Sequence, residues 1–119
     1  MAARLIWHPR ARQDLLDIYI IIALDNPSAA ERLYDAIEAK VETLAAHPRL
    51  GPRRTYIRRA MRMLVEYPYL ILYEAHPNTD RGPIDEVEIV AVVDGRRDLT
   101  NWFSAPPRQG RPSIPFVAS

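Results

Sequence analysis

Two runs of strand-forming residues, 61–67 and 69–75, meet at Pro68, and this pairing limits the chain more than any other feature in it. In the first run Met61, Met63 and Val65 alternate with Arg62, Leu64 and Glu66, the period of a half-buried strand. In the second, Tyr69, Ile71 and Tyr73 alternate with Leu70 and Leu72, so both faces stay apolar until Glu74, as in a central strand. Pro68 interrupts the two runs, and the pair reads as a β-hairpin. Residues 86–93 (EVEIVAVV) supply one more strand, closed by Asp94-Gly95, and residues 4–8 (RLIWH) a short one at the start.

Everything between the first strand and the hairpin reads as helical scaffold. In 10–23, Ala11, Leu15, Ile18 and Ile22 fall on one helical face, with Pro9 suited to the first turn and an end near Leu24. A second helix follows at once and presents Ala30, Leu33, Ile37, Val41 and Leu44. Two starts fit it: Asn26 as cap with Pro27 in the first turn, or Ser28 as cap with Glu31 reaching back. His47-Pro48 ends it, since a residue before Pro is pushed out of helical geometry. A short turn between helices makes them an antiparallel hairpin. The order is β-α-α-β-β-β, an α+β fold with a helical hairpin packed on one face of a small, mostly antiparallel sheet. Residues 1–103 read as one domain; 104–119, with four Pro in sixteen residues, read as an extended or disordered tail.

Composition matters chiefly through where the charge lies. The net charge is +1, yet residues 51–62 hold Arg53, Arg54, Arg58, Arg59 and Arg62 with no acid, whereas 63–103 hold three basic and eight acidic residues. A near-neutral chain with one basic stretch points to a local anionic contact, not a general nucleic-acid coat. Arg forks suit phosphates or carboxylates; a solvated basic loop, or a composition bias favouring Arg over the single Lys40, explains the same residues. Arg96 and Arg97 follow the last strand directly, and function is expected where this pair meets the first Arg group. The plainer role for the pair is to bond the following carbonyls or Asp94 and Asp98. Alternation with Met61 and Met63 predicts that Arg62 points onto the open side of the sheet, so Arg62→Ala should cost no more than about 0.5 kcal/mol while reducing activity.

Other chemistry is sparse. With no Cys there is neither a disulfide nor a thiolate metal site. His8, His47 and His76 each adjoin a Pro and fit no zinc spacing, so no metal and no cofactor is expected; His8 reads as a helix cap and His76 as the one candidate general acid. No phosphate-binding glycine loop or nucleophile elbow is present. Trp7, Trp102 and Phe103 read as packing. No apolar stretch is long enough for a signal peptide or membrane span, which fits a soluble cytoplasmic protein. Ile20, Ile21 and Tyr34 lie off the main helical stripes, as does surplus that a partner covers.

Several passages, in order, resemble one family. They are Trp7-His8-Pro9-Arg10-Ala11, Asp14-Leu15, Ile18, residues 26–33 (NPSAAERL) and 44–51 (LAAHPRLG), then Arg62 with Tyr69, Ile71, Leu72 and Tyr73, and finally 90–99 (VAVVDGRRDL). Together they resemble the ParE/RelE toxins of type II toxin–antitoxin systems over about residues 5–99, and the passage around His47-Pro48-Arg49-Leu50-Gly51 is closer to ParE. The resemblance implies a toxin neutralised by a co-expressed, ParD-like antitoxin. ParE-like members poison DNA gyrase without a nuclease site; RelE-like members cut mRNA on the ribosome. In this chain Lys is absent from the second half, Trp102-Phe103 stand where a Tyr is expected, and Asp94 replaces a His. These departures favour the gyrase reading, with no enzymatic activity. On that reading Arg58, Arg59, Arg62, Arg96 and Arg97 contact the target, and Ile20, Ile21, Tyr34, Arg53 and Arg54 contact the antitoxin. The alternatives are a ribosome-dependent mRNA endoribonuclease using Arg62, Arg96 and Arg97, and an inactive homologue that only binds antitoxin.

Overall fold

His8 turns the chain from strand to helix. Its backbone is extended (φ −61°, ψ 141°), its Nδ1 accepts from the Arg10 N–H at 3.1 Å, and Pro9 begins the helix where no N–H is needed. In the computed structural model, which describes residues 2–96, this junction joins strand β1 (Arg4–Trp7) to helix α1 (Pro9–Ala23). Asn26 then caps helix α2 (Pro27–Ala46), its Oδ1 accepting from the Ala29 N–H at 3.1 Å. Of the two starts open in the sequence, the Asn26-Pro27 start is therefore the one used, and Ser28 lies inside the first turn. Strands β2 (Met61–Glu66), β3 (Tyr69–His76) and β4 (Glu86–Asp94) complete the chain in the expected order.

The sheet order is β1-β4-β3-β2, with β1 parallel to β4 and the other pairs antiparallel. The helical hairpin lies on one face. There Ala11 and Leu15 of α1 and Ile37, Val41 and Leu44 of α2 bury against Ile71, Tyr73, Val87, Ile89 and Val92. β1 pairs with β4 only as far as Ile89, so the next stretch of β4 lacks a strand on that side. Asp14 takes over: its Oδ2 accepts from the Val92 N–H at 3.0 Å. The acidic residue beside the apolar stripe of α1 thus completes the sheet's hydrogen bonding.

The opposite face is expected to lack cover, but part of it is covered. Met61, Leu70, Leu72, Val90, Ala91 and Val93 are buried there, with Ile57 and Met63 packed against them. The chain entering β2 folds back over its outer edge: the Arg54 N–H reaches Met61 O at 2.8 Å, and the Met63 N–H reaches Pro52 O at 3.2 Å. A bulge also helps. Leu72 pairs with Ala91 but Tyr73 pairs with Ile89, so Val90 is an extra residue and both Val90 and Ala91 join this second cluster. No helix among the described residues is long and apolar enough to cross a membrane.

Candidate functional site

The basic loop and the strands beside it form a knot around Tyr73. This side chain is fully buried at the centre of β3. Its hydroxyl donates to Pro48 O at 3.0 Å and accepts from the Gly51 N–H at 2.8 Å. Arg62, opposite Tyr73 in the register, donates from Nη1 to Gly51 O at 2.8 Å and to Arg49 O at 3.4 Å. The helix exit 47–51 is therefore sewn to the sheet by two side chains. Gly51 is required at the seam, because a Cβ there would lie 2.6 Å from Met63 O and 2.9 Å from Tyr73 Cε1.

Arg62 is thus not on the open side of the sheet. It is 6% exposed and faces the helix exit, while Met61 faces the second cluster. β2 alternates as expected, but the side is reversed, because at Met61 and Arg62 both faces of the strand are covered. Burial lowers the Arg62 guanidinium from its ordinary value, Tyr73 raises it, and Arg53 opposes while Asp80 favours the charge. The side chain stays protonated all the same. Its Nε is buried without a partner among the described residues, so the fork is anchored through one nitrogen arm and a loose 3.8 Å approach to Asp80.

The remaining arginines divide by partner. Arg53 grips Asp80 at 2.9 Å and Asn78 at 2.6 Å, and its hydrogen bond and charge hold the Asp80 carboxyl below the usual carboxylate range. Arg49 reaches Thr79 O and Gly82 O, so two arginines tie the basic loop to the 77–83 loop. Arg54 donates to Arg53 O, and Arg58 pairs with Glu74 at 2.9 Å. Arg59 is exposed and has no ion-pair partner among the described residues. Arg96 chelates Asp94 through its N–H, Nε and Nη2, which raises the guanidinium above its ordinary value. Arg97, Trp102, Phe103 and the tail from 104 lie outside the described residues.

The structure does not bring Arg62 to Arg96. Arg62 sits level with Tyr73, and Asp94 level with Tyr69. Four residues of strand separate those levels by about 13 Å. Between α1 and the end of β4 lies a cleft of about 190 Å³ lined by Asp14, Asp17, Ile18, Ile21, Tyr69, Val92 and Asp94. Ile20 and Ile21 are exposed on α1, together with Leu16 and Leu24. Tyr34, expected to be surplus, is instead half-buried against the main core and stacks edge-on with Tyr19 at 5.8 Å. Sequence spacing also missed a meeting of Glu74, His76 and Glu88, whose donor atoms lie within 4.8 Å of one another.

The Tyr73 hydroxyl predicts a pH dependence. Burial raises its pKa above the ordinary value of 10.0, against the Gly51 hydrogen bond and the Arg62 charge. Its bond to Pro48 O needs the proton. The unfolded phenol ionises near pH ~10, so this contribution to stability is complete below that pH and is lost as pH rises towards the folded value. In an alkaline titration followed by phenolate absorbance, one of the six tyrosines is expected to ionise only as helical circular dichroism is lost. Ionisation of all six with the fold intact would contradict this placement.

The chain is thus a small α+β protein, a two-helix hairpin on a four-stranded mixed sheet with its helix exit locked by Tyr73 and Arg62. The fold is similar to that of a solved chain of the chromosomal ParDE toxin–antitoxin system from P. aeruginosa, with a TM-score of 0.62 and 21% identity over 78% of this chain and 96% of that one. The family model for the ParE toxin of the type II toxin–antitoxin system parDE matches residues 5–99, and the chain belongs to that family. It is also similar to Toxin RelE3 of Caulobacter vibrioides, 34% identical over 71 residues, covering 59% of this chain and 77% of the relative.

Proposed function

We propose that this family member arrests growth by acting on DNA gyrase and is neutralised by a cognate, ParD-like antitoxin. The observation that carries the target is the separation of Arg62 from Arg96, two of the three arginines a nuclease would need. Arg62 is buried on backbone carbonyls, and Arg96 is bound to Asp94 some distance along the sheet. Stabilising a reacting phosphate calls for converging, accessible donors. Arg59 and the exposed arms of Arg58 instead offer a binding surface, suited to a protein or nucleic-acid contact without bond cleavage.

The antitoxin reading rests on an exposed apolar stripe, formed by Leu16, Ile20 and Ile21 of α1 and Leu24 at its C-cap. An amphipathic helix laid along it, followed by an acidic strand towards Arg53 and Arg54, buries that stripe and adds steering charge. Inducible expression without the neighbouring gene tests the proposal. Inhibited supercoiling by purified gyrase and double-strand breaks in induced cells are expected, with both abolished by the neighbouring gene's product. Intact DNA beside transcripts cut within ribosome-bound codons would replace the gyrase reading with an endoribonuclease. No growth effect at all would leave only an antitoxin-binding homologue.

A further inference from the structure

The face of the sheet away from the helices carries a polar patch that the toxin reading leaves unused. Glu74 and His76 stand two residues apart on β3, so they share a face, and the register places Glu88 of β4 directly opposite Glu74. Like charges directly opposite across two strands destabilise a sheet. Here both strands are interior to the sheet, with Glu74 also facing Met61 of β2 and Glu88 facing Ile6 of β1. Glu86, next along the same face, is engaged by Arg4. Glu74 is engaged by Arg58 from the basic loop at 2.9 Å, and His76 Nε2 lies 3.2 Å from Glu88 Oε1.

We propose that Glu74, His76 and Glu88 form a site for a divalent transition metal of the zinc type. One imidazole and two carboxylates are a donor set that zinc accepts, with waters completing the shell from the solvent side. Their donor atoms already lie within 4.8 Å of one another. Tetrahedral donors about 2.0–2.2 Å from zinc lie about 3.4 Å apart, so these side chains must draw together by up to about 1.4 Å. A divalent ion also neutralises both carboxylates at once, which Arg58 does for only one. Arg58 is therefore the ion's competitor for Glu74. Metal binding releases Arg58 from the sheet, so the ion frees a further guanidinium in the basic loop.

The test is a calorimetric titration of the full chain with zinc chloride, beside a histidine-ring nuclear magnetic resonance titration. One equivalent is expected to bind, shifting the His76 ring signals and not those of His8 or His47. His76→Ala and Glu88→Gln are expected to weaken binding at least about tenfold, the scale on which support for a metal is lost. Arg58→Ala is expected to tighten binding several-fold by removing the competitor; a purely adventitious site would not respond to it. Circular dichroism confirms that each variant is folded. The proposal is overturned by absence of binding, by equal binding in His76→Ala, or by shifts confined to His8 and His47. It is also overturned if Arg58→Ala leaves the affinity unchanged.

Discussion

Arg62→Ala is expected to destabilise the toxin by about 3 kcal/mol, because it removes charged donors from two carbonyls and leaves a void beside them. The carbonyls are Gly51 O and Arg49 O, both in the helix exit that Arg62 fastens to the sheet. For a domain of this size that loss corresponds to a fall in Tm of roughly 12–24 °C. The estimate reverses the surface role read from strand alternation. It also changes how a toxicity screen would be read: on the proposed function, a loss of growth inhibition in Arg62→Ala would be accounted for by destabilisation and would not by itself mark Arg62 as a target contact. Arg62→Lys keeps a charge but reaches one carbonyl instead of two, and should fall between. Thermal denaturation measures both. A Tm for Arg62→Ala within about 3 °C of the parent, less than the shift from a single kcal/mol, would mean that the fork contributes nothing net.

Gly51→Ala is expected to rival that loss through strain instead of missing bonds. Its methyl would meet Met63 O at 2.6 Å, which is backbone of β2, and Tyr73 Cε1 at 2.9 Å, which is fully buried. Neither neighbour can retreat without breaking a bond already described. Overpacking of this kind costs about 1–3 kcal/mol, and the backbone contact places it at the upper end. Pulling Gly51 away would also separate its N–H from the Tyr73 hydroxyl and its carbonyl from Arg62. Gly51→Ala and Arg62→Ala therefore act on one knot, and the double variant should lose less than the two single losses added together. Strict additivity in the double-mutant cycle would refute the shared knot.

The helices were legible because their cause is local. Apolar spacing, Pro9, Asn26-Pro27 and His47-Pro48 act within a turn or two of their own positions, and the helices begin and end there. The strands were legible for the same reason. Which side of a strand faces the helices was not, since Met61-Arg62-Met63 alternates identically either way up. That choice is made by Ile57 and the returning loop, whose path over the second face has no sequence period. Long-range partners were equally hidden. The trio of Glu74, His76 and Glu88 exists only through the β3–β4 register, and the bulge at Val90 shifts that register part-way along. Arg96 is an intermediate case, because Asp94 two residues earlier was visible as an alternative partner and is the one it takes.

The strand order has a bearing on how the chain is made. β4 is the last strand in sequence but lies in the interior of the sheet, and its bond to β1 spans 82 residues between Arg4 and Glu86. During synthesis β1 and the β2–β3 hairpin must wait with nothing between them. The apolar stripe of the helical hairpin waits as well, because Val87, Ile89 and Val92, which cover it, have yet to emerge. Contacts so distant in sequence raise contact order and slow folding. A chain of this topology cannot close its sheet, or the core beneath it, until β4 has emerged, so the fold is completed late in synthesis and all at once.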